Sequence, residues 1–270
     1  MPESSEVRII TEDLHKLLKN KELSNIIVLG GRYKTHGNPQ GMDEFNKTLP
    51  TIIESVKCKG KFIYWTFSNK WFMWNTLGMS GGWTLEKEKH ANIEFILKDI
   101  SVYFRDMRNF GTIKFTDDKS LMERKLAELG PDMFESDTTL SVFRKSIKDA
   151  KKQGQTIVEY LMNQKNISGV GNYIKSESLY YAKISPHRII SSLTNQEIED
   201  LYHGIKKVIQ DSYKDKGVSI RDYADVNNVK GEYHTKLMVY NQKHDPHGNP
   251  IKKETTKDKR STYWSPKIQY

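Results

Sequence analysis

The second residue offers the sharpest chemistry in the chain, which opens MPESSEVRIITEDL. If Met1 is trimmed, Pro2 becomes the terminus and carries a secondary amine. Terminal amines titrate near ~8, so a useful fraction is unprotonated at neutral pH. Such an amine attacks an electrophilic sugar carbon or a carbonyl and forms an iminium, as a Schiff-base lysine does. The reaction needs a proton donor and acceptor beside it, and Glu3 is adjacent, with Glu6 following. The competing reading is structural. Proline at a helix start is ordinary, and acids there suit the positive end of the helix dipole.

Charge narrows the partner. The 270 residues carry a net charge of +9 with a pI near 9.3. A basic protein of this size points to a polyanion, most often nucleic acid. Residues 230–270 hold nine Lys/Arg against four Asp/Glu, so this short tail holds over half the excess. Cys58 is the only cysteine, which excludes an internal disulfide or a four-cysteine zinc site and predicts a reducing, intracellular setting. Cys58 itself reads as core filler beside a strand. The N-terminus lacks a cationic stretch followed by an apolar one, so no signal peptide is expected. No apolar run approaches ~18 residues, so no membrane span is expected.

Two kinds of element must position these residues. Val7, Ile10, Leu14, Leu17 and Leu18 fall at helical spacing and predict a helix over 4–19. From 25 to 116, stretches such as NIIVLG, KFIYWTF, WFMWN, ANIEFIL, ISVYF and TIKF are short, β-branched or aromatic, and separated by turn residues. They predict antiparallel strands in a sandwich or barrel. Strand signals then stop. RKLAELGPDMF reads as a helix ended by Gly-Pro, and further helices follow from about 140. In TNQEIEDLYHGIKKVIQDSY, Thr194 and Glu197 form a capping box, and Ile198, Leu201, Ile205, Val208 and Ile209 supply the buried stripe. The tail reads as short strands and turns.

Six motifs occur in one order: MPExxE, GKF at 60–62, LGMSG at 77–81, RDMRNFG at 105–111, SGVGNYIKSESLYYAKISPHR at 168–188 and KRSTYWSP at 259–266. Together they resemble, nearly end to end, the formamidopyrimidine-DNA glycosylase and endonuclease VIII (Fpg/Nei) family of base-excision repair enzymes. The resemblance implies an α+β fold: an N-terminal β-sandwich with flanking helices, and a C-terminal helix-two-turn-helix domain with a β-hairpin zincless finger. The expected division is a catalytic sandwich over 1–125, a hinge over 126–140, a DNA-binding domain over 141–229 and the finger over 230–270.

The resemblance also assigns roles. Pro2 matches the N-terminal nucleophile, Glu3 the acid/base carboxylate and Glu6 the second carboxylate. Lys61 matches a hairpin lysine that contacts phosphate and assists catalysis; its bland reading is a solvated basic loop with Lys57 and Lys59. Met79, Arg108 and Phe110 match the residues that fill the gap left by an everted base. Removing a base from the stack costs a few kcal/mol, which such a plug offsets in part. Alone, Met79 and Phe110 would read as core, but their loops are polar or Gly-rich. Asn172 matches a phosphate-binding asparagine at a helix start, a favourable place for an anion. Arg260 matches the finger arginine that grips phosphates near the lesion.

Two departures stand out. Many family members hold structural zinc with two Cys-x-x-Cys pairs in the tail. Here His244 and His247 occupy the first pair and Ser265 and Ile268 the second, so no metal and no cofactor is expected. The hairpin should then rely on its own ladder and on packing of Tyr263 and Trp264. Ser4 and Ser5 stand where the family usually has a second proline before Glu6. The expected partner is damaged DNA, double- or single-stranded, met by a monomer. The metal-free finger and the Val7–Arg8 pair lean toward oxidised pyrimidines. The alternatives are an oxidised-purine preference (formamidopyrimidine or 8-oxoguanine) with the same chemistry, and a DNA-binding module without catalysis. Family members often carry a base-covering loop at the position of 217–235.

Overall fold

The alternation of apolar and polar residues in the first half is realised as a two-layered sheet. A computed structural model of the chain describes residues 2–219 and 224–270. Met1, and residues 220–223 of the expected base-covering stretch, lie outside the described residues. The chain forms two compact units. One comprises Met1–Pro2, Glu6–Ala127 and Lys216–Glu232; the other comprises Glu3–Ser5, Glu128–Asp215 and Tyr233–Tyr270.

The chain begins with α1 (Ser4–Leu18), followed by β1 (Glu22–Val28), α2 (Gly31–His36) and α3 (Met42–Asn46). Seven strands come next: β2 (Thr51–Lys59), β3 (Phe62–Phe67), β4 (Phe72–Thr76), β5 (Gly81–Thr84), β6 (Ala91–Leu97), β7 (Ser101–Asp106) and β8 (Thr112–Thr116). Helix α4 (Lys119–Ala127) follows them. The strand order is β5-β7-β6-β1-β2-β3-β4-β8, with every neighbouring pair antiparallel. β1 and β2 share only the pairs Glu22–Ile52 and Leu23–Thr51, the seam where one layer passes into the other. Between the layers, Trp65 of β3 meets Trp83 of β5 at 5.2 Å and Phe95 of β6 at 5.6 Å between ring centres. All three rings are fully buried. Truncating such a ring to alanine costs about 3–5 kcal/mol. The buried face of α1 (Val7, Ile10, Leu14 and Leu18) joins this core, as does Val226 from the later segment.

The second unit is helical: α5 (Leu140–Lys148), α6 (Ile157–Met162), α7 (Asn172–Tyr181) and α8 (Asn195–Lys214). The capping box at Thr194–Glu197 starts α8, and its stripe of Ile198, Leu201, Ile205, Val208 and Ile209 is buried. A two-stranded hairpin, β9 (Lys252–Thr255) and β10 (Ser261–Trp264), ends the chain. The sequence did not anticipate α2 and α3, because helices of five or six residues show too little periodicity to read. Cys58 lies on β2, partly buried against the sandwich core, as a filler would.

Candidate active and nucleic-acid-binding site

In the second unit, the Gly-rich turn before α7 is built around one carboxylate. Glu3 is buried; its Oε1 accepts from the backbone N–H of Tyr173 at 3.0 Å and its Oε2 from that of Ile174 at 3.2 Å. Both groups belong to the first turn of α7, where N–H groups lack helical partners and the dipole favours negative charge. A Cβ on Gly171 would collide with that carboxyl group, so glycine there is a condition of the contact. Gly169 has φ +98° and faces Ser4, whose N–H donates to the Gly169 carbonyl at 3.1 Å. Thus GVGN, a weak motif by itself, is the socket for Glu3. Asn172, first residue of α7, donates from Nδ2 to the Ser261 carbonyl at 2.8 Å, which ties the helix start to the hairpin beside Arg260.

Arg260 is exposed on the turn between β9 and β10. Its carbonyl accepts from the Thr256 N–H at 3.1 Å, and Lys259 takes a left-handed φ of +59°. Beneath the turn lies a buried ion pair. Lys175 Nζ, on α7, is 2.6 Å from Asp258 Oδ2, with side chains 0% and 2% exposed. Lys175 also donates to Thr262 Oγ1 at 2.8 Å, and that hydroxyl lies 2.6 Å from Thr256 Oγ1. Burial pushes the Lys175 ammonium below its usual range, while Asp258 and Glu3 pull it back.

In the first unit, Pro2 is buried at the start of the chain. Glu6 is also buried, and its Oε1 accepts from the Val218 N–H at 2.8 Å, holding the segment after α8 to α1. Lys61 is half-buried in the two-residue turn between β2 and β3, after Gly60 at φ +57°. Its neighbour Lys59 donates to the Leu126 carbonyl at the end of α4, so the basic cluster is not one solvated face. Met79, Arg108 and Phe110 sit on the loops β4–β5 and β7–β8. Phe110 is 56% and Met79 38% exposed, so neither belongs to the core. The Arg108 guanidinium lies 5.3 Å from the Phe110 ring centre.

The tail does not fit a tetrahedral zinc. The Ile268 side chain has no donor atom, and the Ser265 hydroxyl donates to Asp245 Oδ2 at 2.8 Å. Among the described residues, no group of three or more His, Cys, Asp or Glu could hold a metal ion. A carboxylate organises this turn instead. Asp245 accepts from the N–H groups of His247 and Asn249, both at 2.9 Å, and from Asn249 Nδ2. Burial alone would raise its pKa, but the bonds from Asn249, Ser265 and His247 outweigh that and hold it down at about 2. The expectation that ladder and aromatic packing hold the hairpin was therefore incomplete. Tyr263 does pack on Tyr240 at 5.1 Å, and Trp264 Nε1 donates to Glu254 at 2.7 Å.

Sequence reasoning missed four carboxylates or cations that build these turns: Asp106, Lys175, Asp245 and Glu177. Glu177 is wholly buried and accepts the N–H groups of Met238, Val239 and Tyr240, fixing the approach to the hairpin. Lys175 and Glu177 lie in a helix whose residues 173–180 are all buried. Two residues apart, they fall on different sides of the helix, and in the sequence neither stands out from an exposed charge.

The N-terminal domain model of formamidopyrimidine-DNA glycosylase matches residues 1–113, the H2TH domain model 129–224 and the C-terminal domain model 228–270. The formamidopyrimidine-DNA glycosylase of Listeria monocytogenes is 30% identical over 280 residues, covering 100% of each chain. That of Desulfitobacterium hafniense is 28% identical over 257 residues, covering 91% of this chain and 90% of its own. Among solved structures, a Lactococcus lactis Fpg mutant in complex with Fapy-dG-containing DNA superposes with TM-score 0.87 at 25% identity, covering 99% of both chains. The MutM (Fpg) protein of Thermus thermophilus gives 0.87 at 24% identity over 99% of this chain and 98% of its own, a likeness of fold.

Proposed function

The chain belongs to the formamidopyrimidine-DNA glycosylase and endonuclease VIII family of DNA glycosylases, and from that premise we propose a bifunctional glycosylase and abasic-site lyase that uses Pro2 as nucleophile. The observation that carries the reading is Glu3, next in the chain to Pro2. It is buried and accepts through both oxygens from the start of α7, as an ionised carboxylate does. The Pro2 lone pair attacks C1′ of a damaged nucleotide, and the base departs with the electrons of the glycosidic bond. Opening of the sugar leaves an iminium on Pro2, and β- then δ-elimination releases the strand ends. Glu3 exchanges protons with the sugar in these steps. Lys61, Asn172 and Arg260 contact phosphates, while Met79, Arg108 and Phe110 fill the gap in the duplex.

The relatives named above support formamidopyrimidine lesions as the substrate. The sequence leaned instead to oxidised pyrimidines, partly through Val7–Arg8. Val7 is wholly buried in the sandwich core, so it offers no surface for reading a base. The donor-poor finger keeps oxidised pyrimidines as the second reading. Cleavage of duplexes carrying Fapy-dG or thymine glycol, side by side, separates the two.

Borohydride trapping on abasic DNA tests the chemistry, after an N-terminal mass measurement confirms that Pro2 comes first. A covalent complex is expected with the parent protein and none with Pro2→Gly. Glu3→Gln should lose on the order of 10²–10⁴-fold in base release, the usual range for a positioned acid or base. DNA binding without any trapped complex would instead mark a non-catalytic binding module.

A further inference from the structure

We propose that Asp106 is a positioning residue that locks the β4–β5 and β7–β8 loops into one preassembled wedge. Its use on DNA rests on the function proposed above; its geometry does not. The Asp106 carboxylate is 1% exposed. Its Oδ1 accepts from Ser80 Oγ at 2.6 Å and from the Arg108 N–H at 3.2 Å, and its Oδ2 from the Gly111 N–H at 2.6 Å. Ser80 Oγ in turn accepts the Arg108 N–H at 2.9 Å. These donors lie on the two loops: Ser80 follows Met79, Arg108 is itself an inserting residue, and Gly111 follows Phe110.

Two further features close the assembly. The Asp106 carbonyl accepts from Asn92 Nδ2 at 3.0 Å, which also donates to Asn109 Oδ1 at 3.1 Å. Asn109 stands at φ +56° between Arg108 and Phe110, and its Oδ1 also accepts the Arg32 N–H at 3.0 Å. The loops also touch through backbone. A Cβ on Gly78 would lie 2.6 Å from the Phe110 carbonyl carbon, and one on Gly111 2.9 Å from Asp106 Oδ2. Residues facing inward are thus saturated and close-packed, while Met79, Arg108 and Phe110 project outward. Since their side chains are exposed, the loop backbone sets their direction, and Asp106 sets the loop backbone. A wedge ordered before contact spares the ordering cost when it enters a duplex.

Asp106→Asn keeps the shape but cannot accept at both ends, so one donor is left unmatched. We expect single-turnover excision from a duplex to fall about 10–100-fold, while lyase cleavage of single-stranded abasic DNA, which needs no wedge, stays within about two-fold. In a Phe110→Ala background the same change should add little, because residues acting as a unit are non-additive. Ser80→Ala, a milder lesion to the same lock, should move excision in the same direction. Equal loss on both substrates, additivity with Phe110→Ala, or no loss at all overturns the proposal. Amide hydrogen exchange separates it from the functional reading. If the parent protein traps no DNA, that reading fails, yet Asp106→Asn must still expose the Arg108 and Gly111 amides while Met73 and Ile113 in the strands stay protected. Uniform loss of protection, or none, would reject the positioning role.

Discussion

Two turns each present an arginine to solvent, and each rests on a buried aspartate, but the aspartates are satisfied differently. Beneath Arg108, Asp106 accepts from a hydroxyl and two backbone N–H groups. Beneath Arg260, Asp258 faces the ammonium of Lys175. The first arrangement spreads one charge over neutral dipoles that the chain must place somewhere in any case. The second desolvates two full charges, which is costly unless both remain. The same task, stiffening an arginine-bearing turn, therefore has opposite sensitivities in the two units.

The largest effect tests that difference directly. Lys175→Met alone should cost about 3–5 kcal/mol, because it strands a buried carboxylate. Lys175→Met with Asp258→Leu should recover most of the loss, since a buried pair replaced by apolar residues is often neutral. Urea unfolding together with exchange of the hairpin amides would measure both. A double variant no more stable than the single one would break the comparison.

The Asp106 lock should behave otherwise. Asp106→Asn should cost about 1–3 kcal/mol, the range for leaving a buried hydrogen-bonding group unmatched. Here no paired apolar replacement rescues the loss. In Asp106→Leu with Ser80→Ala, the backbone N–H groups of Arg108 and Gly111 remain and still lack acceptors. A double variant restored to parent stability would show that these donors find other partners.

The same contrast explains what the sequence made legible. The sandwich and the α8 stripe were readable because alternation and helical spacing are local signals. The terminus proposed to be catalytic, the residues proposed to insert and GVGN stand out in the sequence as ordered motifs. The supports do not. Asp106 stands inside RDMRNFG, yet nothing local says that its oxygens reach Ser80, 26 residues back. Lys175 and Asp258 are 83 residues apart, so each reads alone as a surface charge. The Gly171 requirement likewise appears only once Glu3 is seen against it, 168 residues away in sequence. Pairing across such distances leaves no periodic trace, and it is this pairing that aims the exposed arginines.

A smaller effect distinguishes what the two arginines touch. Arg260→Ala, assigned to phosphate, should weaken binding of every duplex alike and reduce the slope of log affinity against log salt by about 0.9. Arg108→Ala, assigned to the orphaned base, should leave that slope unchanged and alter the preference for the opposite base. Titrations at several salt concentrations decide it. Equal slope changes would place both arginines on the backbone and remove the functional half of the comparison.

The smallest effect lies in pH, and its sign follows from which form each fold holds. Asp245 accepts bonds that favour its carboxylate, so its pKa falls from 3.8 to about 2 on folding. Its contribution is whole above 3.8 and is lost as pH drops toward about 2, because the unfolded chain takes up the proton first. Lys175 has the same sign at the other end of the scale. Burial lowers its pKa from 10.5, so between its lowered value and 10.5 the unfolded chain holds more protons, and stability rises with pH across that window. Asp245→Asn should flatten the acid limb without touching the alkaline one. Lys175→Met with Asp258→Leu should do the reverse. Hydrogen exchange of the hairpin at both extremes reads the two limbs separately. If one variant flattened both, the aspartate hub at 245–249 and the ion pair beneath Arg260 would be a single coupled unit rather than two independent fasteners of the tail.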